Sequence, residues 1–161
     1  MTQTHPKHAL RPLGAAALLS VGLAFALPAA AEEVPMEKVE QAIKYRQNVM
    51  SAMSGLLGTA VGQLRDGFAF GPDINGVAAG LEAVTMDIAA LFPEGTDLGE
   101  TKAKAEVWSD SEGFSDKSKQ AADAAKAFSE AVKSGDKTMM LQAFKGVGDS
   151  CKGCHEAYRA E

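Results

Sequence analysis

The chain has 161 residues, 46% of them hydrophobic and 23% charged, with a formal net charge of −5. That length is enough for one domain with one core and too short for two of ordinary size. The acidic balance argues against nucleic acid and anionic membranes as partners and suits a basic docking partner.

Residues 1–31 read as a cleaved secretory signal. His5, Lys7, His8 and Arg11 precede an apolar run over residues 14–27, and Ala29-Ala30-Ala31 supplies a small-residue cleavage site. The run is too short to span a bilayer as a helix, and no second one follows, so no membrane insertion is expected. The mature domain would be residues 32–161, with 14 Lys and Arg against 21 Asp and Glu, a balance of −7.

Apolar residues at alternating steps of three and four mark four helices. The first carries Val39, Ile43, Met50, Met53, Leu57 and Leu64 on one stripe, with Pro35 near its start. The second runs through Ile74, Val77, Leu81, Thr85, Ile88 and Leu91, opened by Pro72-Asp73 and closed by Pro93. A polar stretch over residues 94–110, holding Gly95, Gly99 and the sole Trp, Trp108, reads as a loop crossing one end. The third helix carries Phe114, Ala121, Ala125, Phe128 and Val132 and ends at Ser134-Gly135-Asp136; the fourth carries Met140, Phe144, Val147, Cys151, Cys154 or His155, and Tyr158. No segment alternates with period two, and residues 68–70 are too few for a strand. Short connections make neighbouring helices antiparallel, so the expected fold is all-α, an up-and-down four-helix bundle.

Residues 151–155 read Cys-Lys-Gly-Cys-His and hold, beyond the leader, both cysteines and the one histidine of the chain. C-x-x-C-H is the attachment signal for c-type haem: two thiols at that spacing can add to two vinyl groups while the adjacent imidazole reaches the iron. A thioredoxin-like pair would need a βαβ context that is missing, and a closed zinc site wants four protein ligands where three Cys and His exist. A structural disulfide is the other reading. At i, i+3 and i+4 of a helix the three side chains share one face, which continues the apolar stripe and aims the iron into the bundle.

Other residues acquire roles around that centre. Arg46 interrupts the apolar stripe of the first helix, which means either pairing with a buried anion, the haem propionates being the obvious one, or a solvated head on a packed stem. Gln47 can add a hydrogen bond beside it. Met50, one turn on, is a sixth ligand to iron or soft packing at the open face. Arg159, one turn past His155, either covers the proximal face or counters the helix dipole. Gly146 and Gly148 precede the cysteines and permit a close approach of the macrocycle or a neighbouring helix, or else a bend.

With Arg46-Gln47, Met50, Glu106-Val107-Trp108-Ser109-Asp110 and the terminal Cys-Lys-Gly-Cys-His-Glu-Ala-Tyr-Arg run in place, residues 35–160 resemble the cytochromes c′, the class II c-type cytochromes. The haem motif stands near the C-terminus, whereas class I cytochromes c carry it near the N-terminus. The resemblance implies a left-handed four-helix bundle, often a homodimer through the first two helices, in the periplasm of Gram-negative bacteria. It implies one haem c anchored through Cys151 and Cys154, with His155 as proximal ligand. Arg46 and Gln47 match the family pair near the propionates, and Arg159 matches an Arg beside the proximal His. Met50 falls at the distal position, where high-spin members have a non-ligating apolar residue and low-spin members a ligating Met.

Two functions follow. A five-coordinate iron in an apolar pocket suits small uncharged diatomics such as NO and CO; a Met50-ligated iron suits electron transfer alone, with periplasmic redox proteins as partners. The Lys44-Tyr45-Arg46-Gln47 and Trp108 neighbourhoods resemble the high-spin branch, which favours the first, and either form can shuttle electrons. Catalysis is not expected, because no second histidine, paired carboxylate or activated nucleophile supplies an acid–base group.

Overall fold

The computed structural model describes residues 34–67 and 73–161; the expected leader at 1–31, residues 68–70 and Pro72 lie outside the described residues. Helix α1 spans Met36–Leu64, with Pro35 at its N-cap and Glu37 in the first turn, where a carboxylate complements the helix dipole. Its buried residues are Val39, Ile43, Arg46, Met53, Ala60 and Leu64, spaced by threes, fours and sevens as a single seam demands. Met50 and Leu57 lie on the expected stripe but are only half-buried, because each packs on a core cluster while also lining a cavity.

Helix α2 spans Ile74–Thr85 and opens on Asp73, whose carboxylate accepts from the Asn75 N–H. It stops short of the expected run to Leu91, and a separate 3-10 turn forms at Ala89–Leu91. The break has one local and one tertiary cause. Asp87 Oδ1 accepts from the Ala90 N–H at 3.2 Å, and Ser118 Oγ accepts from the Ala89 N–H at 3.1 Å, so these donors are drawn away from a helical ladder. A four-residue helix α3, Glu106–Ser109, lies inside the stretch expected as plain loop.

Helix α4 spans Ser111–Ser134 from an Asp110 N-cap, and α5 spans Lys137–Tyr158 from an Asp136 N-cap whose side chain accepts from the Thr138 and Met139 N–H groups. Helix α5 is continuous through Gly146 and Gly148, and a Cβ at either would meet open space. No neighbouring helix therefore uses these glycines for close approach. Instead α1 and α2 approach closely at Gly80, where an added Cβ would lie 3.2 Å from Leu56 Cδ2.

The four long helices form the expected all-α bundle. α1 packs on α2, α2 on α4 and α4 on α5, whereas α1 and α5 scarcely touch. One core cluster, with Ala60, Leu64, Val77, Leu81, Phe128, Val132 and Val147, closes one end of the bundle. A second, with Met53, Ile88, Val107, Phe114, Ala121 and Tyr158, lines the other end, where α1 and α5 stand apart. Phe128 is fully enclosed in the first cluster and packs on Phe144 at a centroid distance of 5.2 Å. Phe128→Ala should therefore cost about 3–5 kcal/mol in denaturant unfolding, and a loss below about 1 kcal/mol would show that this end of the bundle can collapse around the gap.

Candidate functional site

The gap between α1 and α5 is a cavity of about 610 Å³. Its α5 wall carries Cys151, Cys154, His155, Tyr158 and Arg159; its α1 wall carries Arg46, Gln47, Met50, Met53 and Leu57; Phe92, Val107, Phe114 and Ala121 form the back. The three motif residues and Arg46, Gln47, Met50 and Arg159 thus all line one space, whereas Gly146 and Gly148 do not. Those lining residues outside the motif were reached by spacing along α1 and α5, and the structure shows why spacing sufficed: both helices present one face to the cavity.

The motif sits in an uninterrupted helix, so the thiols and the imidazole fall on one face by helical geometry. Both cysteines are free and half-buried. Burial pushes the Cys151 thiol above its usual range; burial and then the neighbouring Cys151 do the same for Cys154, with Lys117 opposing. Thiols of this kind are poor thiolates, which speaks against a redox-exchanging pair. Desolvation, followed by the Arg159 cation, lowers the His155 imidazole below its ordinary value. The ring is then neutral at pH 7, the form that binds a metal.

Of the two expectations for Arg46, the solvated head is the one the structure contradicts. The residue is 3% exposed, so its head is not solvated, and among the described residues no carboxylate forms an ion pair with it. Its guanidinium instead donates from Nη1 to Thr96 Oγ1 at 3.0 Å and from Nη2 to the Thr96 carbonyl at 3.0 Å and Thr101 Oγ1 at 2.8 Å. Phe92 and Trp108 lie against the same group, 4.8 Å and 5.6 Å from ring centroid to guanidinium carbon. Burial lowers its pKa, yet a guanidinium stays charged. The three bonds occupy three of five N–H donors, so capacity for an anion in the cavity is retained.

Thr96 and Thr101 belong to a strap over residues 93–104 that joins both walls. Gln47 Nε2 donates to the Glu100 carbonyl at 3.2 Å, and Gly99, at φ +100°, lies against Ile43, where a Cβ would come within 3.2 Å of its Cδ1. Toward α5, Ala103 forms an antiparallel bridge with Arg159, the Lys104 N–H donates to the Tyr158 carbonyl, and the Ala160 N–H donates to the Lys102 carbonyl. Lys104 Nζ also donates to the carbonyls of Glu156 and Ala157, placing a cation on the C-terminus of α5. Sequence reasoning missed Thr96, Thr101 and Lys104, because their partners lie some fifty residues away with no periodic signal.

Tyr158 was expected only as a stripe residue. It is 7% exposed, its hydroxyl donates to Asp110 Oδ2 at 2.7 Å, and that bond, with burial and the charge of Asp110, pushes the phenol up to about 12. Phe92, Phe114 and Tyr158 make successive edge-to-face contacts at 5.0 Å and 5.1 Å.

The residues fit a haem. The cavity is within the size range of cofactor pockets, about 300–1,000 Å³, its lining is mostly apolar, and two thiols, one neutral imidazole and one buried cation face it. The Cytochrome C' family model matches residues 41–159. A cytochrome c' from Pararhodospirillum photometricum is 37% identical over 135 residues, covering 81% of this chain and 99% of that protein. Cytochrome c prime from Shewanella frigidimarina superposes with a TM-score of 0.72 at 32% identity, covering 78% of this chain and 98% of that one. A mutant of cytochrome c prime from Alcaligenes xylosoxidans, solved as its nitric oxide complex, gives 0.70 at 32% identity over 76% of this chain and 96% of that one.

Replacing Arg46 by Met keeps the stem and removes every bond to the strap. The variant should lose about 3 kcal/mol of stability and become cleavable by protease within residues 93–104. An intact strap under proteolysis would show that Arg46 does not fasten it.

Proposed function

Because the chain belongs to the cytochrome c′ family, which carries covalently bound haem c, we propose that it is an exported carrier, not an enzyme. In this reading it holds one haem in the α1–α5 cavity, binds small uncharged diatomics such as NO and CO, and passes electrons to periplasmic redox proteins. The observation that carries the proposal is the cavity itself, with Cys151, Cys154 and His155 on one wall and apolar side chains on the facing wall. Bound haem c would supply a redox-active iron able to take up a small gas.

The chain's own residues divide the remaining work. Cys151 and Cys154 anchor by thioethers, which explains how an exported protein keeps two cysteines without a disulfide. His155 presents a neutral imidazole from α5. Arg46 and Gln47 stand at the α1 rim, where the spare donors of Arg46 can hold propionate oxygens, and Arg159 places a second cation beside His155. Met50, Met53 and Leu57 keep the facing side apolar and exclude water, which favours an uncharged diatomic over anions.

Met50 packs half-buried against the second core cluster, which supports a filling role and a five-coordinate iron. That Met50 lines the cavity from the helix opposite His155 favours the alternative, a thioether as sixth ligand in a protein devoted to electron transfer. For a homodimer through α1 and α2, Gly55 and Gly58 facing open space on α1 permit a second copy to approach closely.

The absorption spectrum of the oxidised protein separates the two coordination states. We expect a high-spin pattern, and Met50→Ala should speed CO binding about tenfold or more, about 1.4 kcal/mol off the barrier. A low-spin spectrum with a sulfur-to-iron charge-transfer band would contradict five-coordination, and an unchanged CO rate would remove Met50 from the gas pocket.

A further inference from the structure

The last turn of α5 carries His155 and Tyr158, and a helix end of this kind ordinarily frays, because its final carbonyls lack partners. Here it is gripped from two directions. On the strap side, Lys104 Nζ caps the Glu156 and Ala157 carbonyls and the Lys104 N–H takes the Tyr158 carbonyl. On the α4 side, the Tyr158 hydroxyl donates to Asp110 Oδ2 at 2.7 Å while Asp110 Oδ1 accepts from the Gly113 N–H at 3.3 Å as the α4 N-cap. One carboxylate thus ties the end of α5 to the start of α4.

Gly113 makes that tie sterically feasible. A Cβ at this position would lie 2.5 Å from Asp110 Oδ2 and 2.6 Å from the Tyr158 hydroxyl. A side chain there would have to displace the hydrogen-bonded pair, so glycine lets the phenol pass close over the helix start.

We propose that Asp110, Tyr158 and Gly113 form a proximal clamp, in which Tyr158 and Asp110 act as positioning residues that set where His155 sits in the cavity. The placement is suited to the role. Tyr158 follows His155 by three residues on the same helix face, both line the cavity, and the Arg159 N–H that closes the turn donates to the His155 carbonyl at 3.0 Å. A hydrogen bond to a charged acceptor is strong enough to suppress opening of one terminal turn roughly tenfold or more. The inference rests on the proposed ligation of iron by His155, and the clamp is measurable separately from that ligation.

The test uses the haem-loaded protein and two variants. Tyr158→Phe keeps the ring against Phe114 and removes only the O–H; Gly113→Ala keeps both partners and forces them apart. Hydrogen exchange of the Arg159 and Lys104 amides reads the turn directly, and both variants should exchange about tenfold faster or more while amides in the middle of α5 are unchanged. The iron–imidazole stretching band of the reduced protein should shift or broaden in both, a signature that a uniform loss of stability would not give. Unchanged exchange at Arg159 and Lys104 would overturn the clamp. Faster exchange with an unmoved iron–imidazole band would overturn its positioning role. Absence of that band from the unsubstituted protein, once its spectrum shows a five-coordinate reduced iron, would refute ligation by His155, while exchange would still decide whether the clamp exists.

Discussion

A buried guanidinium must find acceptors, and Arg46 finds them in Thr96 and Thr101, on a strap whose far end is hydrogen-bonded to the end of α5. The contact therefore fixes the separation of two helices at the end where they stand apart. Replacing its neutral acceptors by a carboxylate would neutralise the cation; leaving them neutral keeps a positive charge at the cavity rim. Phe92 and Trp108 stack on the same charge and, through Phe114, continue as a line of ring contacts to Tyr158. One residue thus joins the α1 rim, the strap and the aromatic back wall.

A four-helix bundle ordinarily closes every seam between neighbours. In this chain three close, while the fourth, between α1 and α5, meets at one end through Ala60, Leu64 and Val147 and is spanned by the strap at the other. The core is divided accordingly. The cluster around Phe128 provides well-packed apolar burial at one end, and the cluster around Phe114 and Tyr158 shapes a pocket at the other. Stability and function are assigned to different ends, so the open seam need not weaken the whole domain.

Much of this was legible in the sequence, because the features concerned are local or periodic. The Cys151, Cys154 and His155 spacing and the interruption of an apolar stripe by Arg46 each follow from residues within a few positions of one another. Helix α2 ends before its periodicity does, because one local and one tertiary acceptor override it: Ile88 and Leu91 keep the helical phase, but Asp87 and, from α4, Ser118 take the backbone donors that a longer helix would need. The partners of Arg46 and Tyr158 were invisible for another reason. They lie about fifty residues away in sequence, on a strap of irregular backbone and at a helix start, and nothing in a single sequence pairs them. The same holds for Gly113, whose role appears only once the phenol is seen passing over it.

The central claim is that the α1–α5 cavity is built for a macrocycle fastened through Cys151 and Cys154. The most direct measurement is the intact mass of the exported protein, taken after denaturation in acid so that anything held without covalent bonds is lost. The account predicts the mass of the mature polypeptide plus that of one haem. The mass of the bare polypeptide, from cells that attach haem to other c-type cytochromes, would contradict it.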